Sequence, residues 1–69
     1  MINLEEYLRQ IVTEDYLRED ISPRIFHLAD TIIKYASYEI VTQFYSYYEL
    51  FRVEEISEEE LINIFYMYE

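Results

Sequence analysis

Hydrophobic side chains recur along the chain at intervals of three and four residues, which is the spacing of one face of an α-helix. In the first segment this face consists of Leu4, Leu8, Ile11 and Val12, with Tyr7 beside it. The oppositely charged pairs Glu5–Arg9 and Glu14–Arg18 have i,i+4 spacing and fall on the polar side. The pattern therefore predicts an amphipathic helix at the start of the chain.

The same spacing continues in two later apolar faces. The middle face consists of Ala29, Ile33, Ala36, Ile40, Phe44, Tyr47, Tyr48 and Phe51, and the last of Leu61, Ile64, Phe65 and Tyr68. A strand interpretation competes, because residues 38–53 and 62–68 are rich in side chains that favour β-sheet. Neither range alternates cleanly between apolar and polar positions, and no glycine-containing turn separates them. We therefore predict helices in both.

Each of the three segments begins with a helix-start signal. Asn3 can cap the first segment, with a glutamate three residues later. Ser22 can cap the second, and Pro23 then falls in the first turn, where its missing N–H costs nothing. Ser57 and Glu60 have the spacing of a capping box at the start of the third. Three independent signals support the helical prediction.

These signals predict an all-α fold, a small three-helix domain whose middle helix is the longest. The predicted single acidic domain covers residues 1–69, with helices over about 3–20, 23–52 and 57–68. A helix over 23–52 would be ~45 Å long at ~1.5 Å per residue, which one small globule cannot cover. It is also apolar on more than one side. Either this helix breaks, or a second copy covers the remainder, and we predict a homodimeric helical bundle. No internal repeat or linker is evident.

The available side-chain chemistry argues against an enzyme. The 69 residues include no cysteine, no glycine and one histidine, His27. Nucleophilic catalysis would need this imidazole beside a serine and an orienting acid, and the sequence offers only Asp30 at i,i+3. Glutamates 54–60 lack the Asp/Asn alternation and the glycine turn of a calcium loop. We predict no catalytic residue, no cofactor and no metal site.

The distribution of charge along the chain predicts a soluble protein. Acidic and basic residues run through positions 1–20, which leaves no apolar core for a signal peptide. The longest apolar run, residues 35–51, is interrupted by Glu39 and Glu49. We therefore predict a cytoplasmic protein, in the host cell if the source is viral.

Acidic residues dominate the charge. Fifteen acids against five bases give a formal net charge of −10, which repels nucleic acid and anionic membranes and attracts basic protein surfaces. The acidic clusters are Glu5/Glu6, Glu14/Asp15/Glu19/Asp20 and Glu54/Glu55/Glu58/Glu59/Glu60. Carboxylates held on rigid helices can imitate the phosphates of nucleic acid. The alternative is that they only keep a small hydrophobic protein in solution.

Tyrosine is the other unusual feature, with nine in 69 residues. They cannot all lie in one core, because adjacent residues such as Tyr47 and Tyr48 point about 100° apart on a helix. Exposed tyrosines favour protein interfaces, and we select Tyr45 and Tyr48 as candidate anchors for a partner. The alternative is packing within a dimer, together with the codon bias of an AT-rich genome.

In size, charge and composition the chain is similar to small acidic proteins that phages, archaeal viruses and plasmids use against host nucleic-acid enzymes. The resemblance implies an inhibitor of a basic, nucleic-acid-binding host protein, either a defence effector (an anti-CRISPR role) or a transcription factor. The alternatives are a homo-oligomeric adaptor and an antitoxin that binds a basic toxin. The predicted partner-binding residues are Glu14, Asp15, Glu19, Asp20, Glu54, Glu55, Glu58, Glu59, Tyr45 and Tyr48.

Overall fold

A computed structural model describes residues 3–69, and this part of the chain is helical and contains no β-strand. The elements are α1 (Leu4–Leu17), α2 (Pro23–Tyr35), α3 (Tyr38–Arg52), α4 (Glu58–Ile64) and a short 3-10 helix (Tyr66–Tyr68). The predicted all-α fold is confirmed. The number of helices and the bounds of the predicted middle helix are not.

The three predicted helix starts are confirmed by their capping bonds. Asn3 Oδ1 accepts a hydrogen bond from the backbone N–H of Glu6 at 2.8 Å. Ser22 Oγ accepts one at 3.2 Å near the start of α2, where Pro23 occupies the first turn. Ser57 and Glu60 form both bonds of a capping box. These polar side chains satisfy amides that have no partner within the helix.

The predicted helix over 23–52 is wrong, because it breaks between α2 and α3. Ala36 is extended, at φ −81° and ψ 162°, and ends α2. Ser37 Oγ then accepts a hydrogen bond from the N–H of Ile40 at 3.3 Å and caps a new helix. The break folds α3 back against α2, and the chain measures 29 × 26 × 19 Å. The same copy of the chain therefore covers much of the apolar surface that a continuous helix would expose.

The core lies between all four helices. Its buried residues are Leu8, Val12, Ile21, Ile25, Leu28, Ala29, Ile32, Val41, Phe44, Tyr48, Leu61, Ile62 and Phe65. The rings of Phe44 and Phe65 meet edge to face at 5.2 Å and join α3 to the end of α4. Tyr47 and Ile64, although on the predicted apolar faces, are exposed. The core supplies most of the stabilisation that a chain of this size can gain.

The ends of the helices come together through ion pairs between elements. Arg52 at the end of α3 contacts Asp15 near the end of α1, and Arg24 at the start of α2 contacts Glu59 at the start of α4. The two connections that follow α1 and α3 therefore lie at one end of the molecule. We call residues 18–22 turn A and residues 53–57 turn B.

Candidate functional site

Turns A and B end their helices with the same backbone geometry. In turn A the N–H of Asp20 donates to the carbonyl of Asp15 at 2.8 Å, and the N–H of Glu19 donates to that of Tyr16 at 3.0 Å. In turn B the corresponding bonds are Glu55 to Leu50 at 2.9 Å and Glu54 to Phe51 at 3.1 Å. This pair of bonds is the Schellman motif, in which the residue after the cap is left-handed and is usually glycine.

A glutamate occupies the left-handed position in both turns. Glu19 has φ 63° and Glu54 has φ 64°, and they are the only residues with positive φ among positions 3–69. The left-handed conformation costs a residue with a Cβ roughly 1–2 kcal/mol. Both turns therefore keep a carboxylate at a position where the backbone favours glycine.

A short sequence accompanies the repeated geometry. Turn A continues from Tyr16 through Glu19-Asp20-Ile21-Ser22, and turn B continues from Phe51 through Glu54-Glu55-Ile56-Ser57. In both, an aromatic residue is followed three residues later by two acids, an isoleucine and the serine that caps the next helix. The expectation of no internal repeat therefore fails for this one turn. Its two copies are 35 positions apart.

A buried polar network joins the helices that lead into the two turns. Tyr48, which is fully buried, donates its hydroxyl hydrogen to Asp15 Oδ2 at 2.6 Å. The same oxygen lies 3.2 Å from Arg52 Nε. Burial, and then the bond to Asp15, raise the pKa of the Tyr48 phenol well above its usual range, so it stays protonated. The network fixes α1 against α3 and holds turns A and B side by side.

Two of the predicted partner-binding residues are thus placed inside the protein. Asp15 is 4% exposed and Tyr48 is 0% exposed, so the expectation that they meet a partner at the surface is wrong. Asp15 faces inward because its carboxylate satisfies the Tyr48 hydroxyl and the Arg52 guanidinium. Tyr45, the other candidate anchor, is half-buried and packs edge to face on Tyr7 at 6.0 Å.

Every lysine and arginine side chain of the sequence lies within 4.0 Å of a carboxylate. The pairs are Arg9 with Asp30, Arg18 with Glu14, Arg24 with Glu59 and Glu69, Lys34 with Asp30, and Arg52 with Asp15 and Glu49. Of the fifteen acids, six take part in these pairs and nine do not, counting partners among residues 3–69. The surface therefore carries unpaired negative charge and no unpaired positive charge within that range.

The nine unpaired acids divide into two groups by their place on the helices. Five lie in the first turn of a helix, where the positive end of the dipole stabilises them: Glu5, Glu6, Glu39, Glu58 and Glu60. The other four follow the C-terminal ends of α1 and α3, where the dipole disfavours them. We call these four exposed residues, Glu19, Asp20, Glu54 and Glu55, the acidic patch.

A cavity of about 400 Å³ opens between turns A and B, and we call it the recess. Asp20 of turn A and Glu54 of turn B both line it, and Ile21 and Phe51 contribute apolar wall. Arg18 and Arg52 line it as well, each beside a carboxylate partner. The predicted acidic clusters of turns A and B thus meet around one opening.

The other predicted acids lie beside this end of the molecule, and two of them take part in ion pairs. Glu14 Oε2 lies 3.7 Å from Arg18 Nη2, and Glu59 Oε1 lies 3.3 Å from Arg24 Nη1. Glu58 is half-buried at the start of α4. We therefore assign the candidate site to the acidic patch and the recess, with Glu14, Glu58 and Glu59 at its edges.

Sequence reasoning missed the residues that shape the recess, namely Arg18, Ile21, Phe51 and Arg52. The signal that could have found them is the recurrence of an aromatic residue, two acids, an isoleucine and a serine at fixed offsets. Read as a shared turn, that recurrence would have placed both acidic clusters at helix ends. It would not have shown that the two ends are adjacent, since that depends on the break at Ser37.

The described residues narrow the chemistry further. Residues 3–69 bring no three metal-binding side chains together, and no helix among them is long and apolar enough to cross a membrane. No family model, curated protein or solved structure matches this chain.

Proposed function

We propose that this chain is a non-catalytic binding protein whose acidic patch engages a basic surface on another protein. The observation that carries the proposal is the position of the four patch carboxylates. They follow the negative ends of two helix dipoles, and two of them occupy left-handed backbone. No Lys or Arg nitrogen within residues 3–69 lies within 4.0 Å of these carboxylates. Residues that oppose stability at several levels are expected at functional sites.

The partner class that fits best is a nucleic-acid-binding protein, whose basic groove is built to receive closely spaced negative charge. The chain would then act as a phage or mobile-element inhibitor that occupies the groove, partly by mimicry of phosphates. Its net charge of −10 would speed the encounter. A basic toxin neutralised by this chain as an antitoxin would use the same surface.

The experiment compares two variants with the same net charge. The patch variant, Glu19→Gln/Glu54→Gln/Glu55→Gln, and the control variant, Glu5→Gln/Glu6→Gln/Glu39→Gln, each change the formal charge from −10 to −7. Each is used to capture proteins from host lysate, and the affinity of the captured basic protein is measured across salt concentrations. We expect the patch variant to bind about tenfold or more weakly, and the control to bind nearly as well as the native chain.

Two results would contradict the proposal. One is equal loss in both variants, which would mean that only total charge matters. The other is an affinity that stays constant from low to high salt, because exposed charges are screened beyond about 10 Å at 0.1 M. Competition with DNA or RNA for the captured protein then tests mimicry separately, since an adaptor would leave nucleic-acid binding unchanged.

Self-association is a second candidate function, and a specific observation favours it. Tyr35 and Tyr38 flank the α2–α3 break and are 79% and 62% exposed. A homodimer through this end would cover them and leave the acidic patch free. Light scattering should give twice the 8.6 kDa chain mass, and Tyr35→Ser/Tyr38→Ser should return it to one chain mass. A constant monomer mass at all concentrations would exclude this function.

A further inference from the structure

The recess differs from the surrounding acidic surface because it has volume and apolar wall. Its volume of about 400 Å³ falls within the range of pockets that hold small ligands or side chains, ~300–1,000 Å³. Ile21, which is 7% exposed, and the half-buried Phe51 form its apolar part. A group that enters can therefore bury carbon atoms as well as meet charge.

The unmatched charge in the recess is negative. The two cations that line it are already engaged, Arg18 with Glu14 at 3.7 Å and Arg52 with Asp15 at 3.2 Å. Asp20 and Glu54 have no such partner within residues 3–69. A ligand that complements both these carboxylates and the apolar wall is an organic cation with an apolar stem.

We propose that the recess receives an arginine side chain of the basic partner, with the guanidinium at Asp20 and Glu54 and the stem against Ile21 and Phe51. This inference rests on the proposed function and specifies its central contact. Arginine fits better than lysine because its planar guanidinium offers five donors to two carboxylates and can stack on the Phe51 ring.

The residues flanking the recess indicate what surrounds that arginine in the partner. Leu17 precedes Arg18 at the end of α1, and Val53 lies between Arg52 and Glu54 in turn B. They are 76% and 66% exposed, so both are open to contact with a partner. We infer that the partner segment carries apolar residues on both sides of the arginine.

The test titrates the isotope-labelled full chain with the peptide acetyl-Ala-Arg-Ala-amide and follows backbone amide shifts by NMR. The matched probes replace arginine by citrulline, which keeps the shape without the charge, and by lysine. We expect shifts concentrated in residues 18–22 and 51–57. The citrulline peptide should bind about tenfold more weakly, and the lysine peptide about threefold more weakly. Equal affinity for arginine and lysine, or equal shifts around the first-turn glutamates, would overturn the proposal.

Variants separate the recess from general charge attraction. The recess variant, Asp20→Asn/Glu54→Gln, should bind the arginine peptide about tenfold more weakly than the native chain. Its control, Glu5→Gln/Glu6→Gln, has the same formal charge and should change the affinity less than about twofold. Phe51→Leu keeps every carboxylate and should cost about threefold if the ring contacts the guanidinium. Circular dichroism confirms that each variant is folded. If Asp20→Asn/Glu54→Gln binds the arginine peptide with unchanged affinity, the assignment of an arginine to the recess is wrong.

Failure here is distinguishable from failure of the proposed function. Suppose that the recess variant binds the arginine peptide with unchanged affinity while the patch variant binds the captured protein more weakly. The patch then binds a partner without an arginine in the recess. If the patch variant binds the captured protein with the affinity of the native chain, the proposed function itself is wrong.

Discussion

At the scale of single residues, the left-handed glutamates give the most direct prediction. Glu19→Gly or Glu54→Gly should raise the free energy of unfolding by about 0.5–1 kcal/mol. Glycine removes a left-handed penalty of roughly 1–2 kcal/mol but loses more conformational entropy on folding. Urea denaturation at neutral pH measures the change. A gain would show that the chain retains glutamate here at a cost in stability.

The control for this prediction is alanine at the same positions. Glu19→Ala removes the carboxylate but keeps a Cβ, so the left-handed penalty remains and no comparable gain is expected. If alanine and glycine stabilise equally, the effect comes from charge at the helix end and not from the backbone.

A second prediction at this scale concerns the buried hydroxyl of Tyr48. Tyr48→Phe should lower the free energy of unfolding by about 1–3 kcal/mol, because it leaves the buried Asp15 carboxylate without one of its hydrogen bonds. The matched control, Tyr47→Phe on the exposed neighbour, should stay within about 0.5 kcal/mol. Similar losses in the two variants would mean that the network contributes little.

Prediction from the sequence worked best where the physics is local. Asn3, Ser22 and Ser57 were identifiable as helix caps because each bonds an amide only three residues away. The burial of Asp15 was not predictable in this way, since its partner Tyr48 lies 33 residues further along. In the sequence, Asp15 cannot be told apart from the acids around it, because its phenol and guanidinium partners come close only in the folded chain.

At the scale of helices, the break before α3 was the main error. The sequence Ala36-Ser37-Tyr38-Glu39 does contain a capping serine followed by a first-turn acid, and Lys34 lies in the last turn of α2. The apolar spacing nevertheless continues from α2 into α3 without a change of phase. The continuous apolar periodicity therefore outweighed the local signal for a helix end, and it led to the prediction of one long helix.

Ser37 gives the test of that break. Ser37→Ala should lower the free energy of unfolding by about 1 kcal/mol, because the cap on the N–H of Ile40 is lost. The matched change Ser46→Ala, at an exposed position inside α3, should be neutral or slightly stabilising because alanine is the better helix former. If the two substitutions have the same effect, the Ser37 cap contributes no measurable stability to the start of α3.

The contact between α1 and α2 predicts a dependence on pH. Arg9 Nη1 lies 2.9 Å from Asp30 Oδ1, and its hydrogen bond, with Lys34 at 3.2 Å, holds the Asp30 pKa below its ordinary value of 3.8. A depressed pKa contributes stability above 3.8 that is lost as the pH falls through the lower, folded-state value. Asp30→Asn should therefore cost roughly 0.5–1 kcal/mol at neutral pH, and less and less below pH 3.8.

Urea denaturation of the native chain and Asp30→Asn over a pH series measures that difference. Asp20→Asn is the control, since Asp20 has no cation partner within residues 3–69 and its replacement should not destabilise the chain at neutral pH. A gap for Asp30→Asn that persists unchanged at low pH would assign the effect to packing and not to the ion pairs.

At the scale of the whole molecule, the placement of charge carries more information than its total. Composition alone predicted attraction to basic surfaces. It could not distinguish acids that form a binding surface from acids that only keep the protein in solution. The fold makes that distinction possible, because it separates glutamates that stabilise helix starts from carboxylates gathered at two helix ends. The adjacency of turns A and B depends on contacts between distant elements, so sequence pattern could not supply it.

The last prediction compares the stabilities of the patch variant and the control variant, which share a formal charge of −7. Repulsion across the molecule falls by a similar amount in both. The control also loses three first-turn carboxylates, each worth typically 0.3–1 kcal/mol, whereas the patch variant removes charge from the unfavourable end of two helices. At low ionic strength the patch variant should therefore be more stable than the control by roughly 1–3 kcal/mol. Thermal denaturation should show the gap shrinking in high salt. Equal stabilities of the two variants at low salt would contradict the inference that the patch carboxylates reduce the stability of the fold.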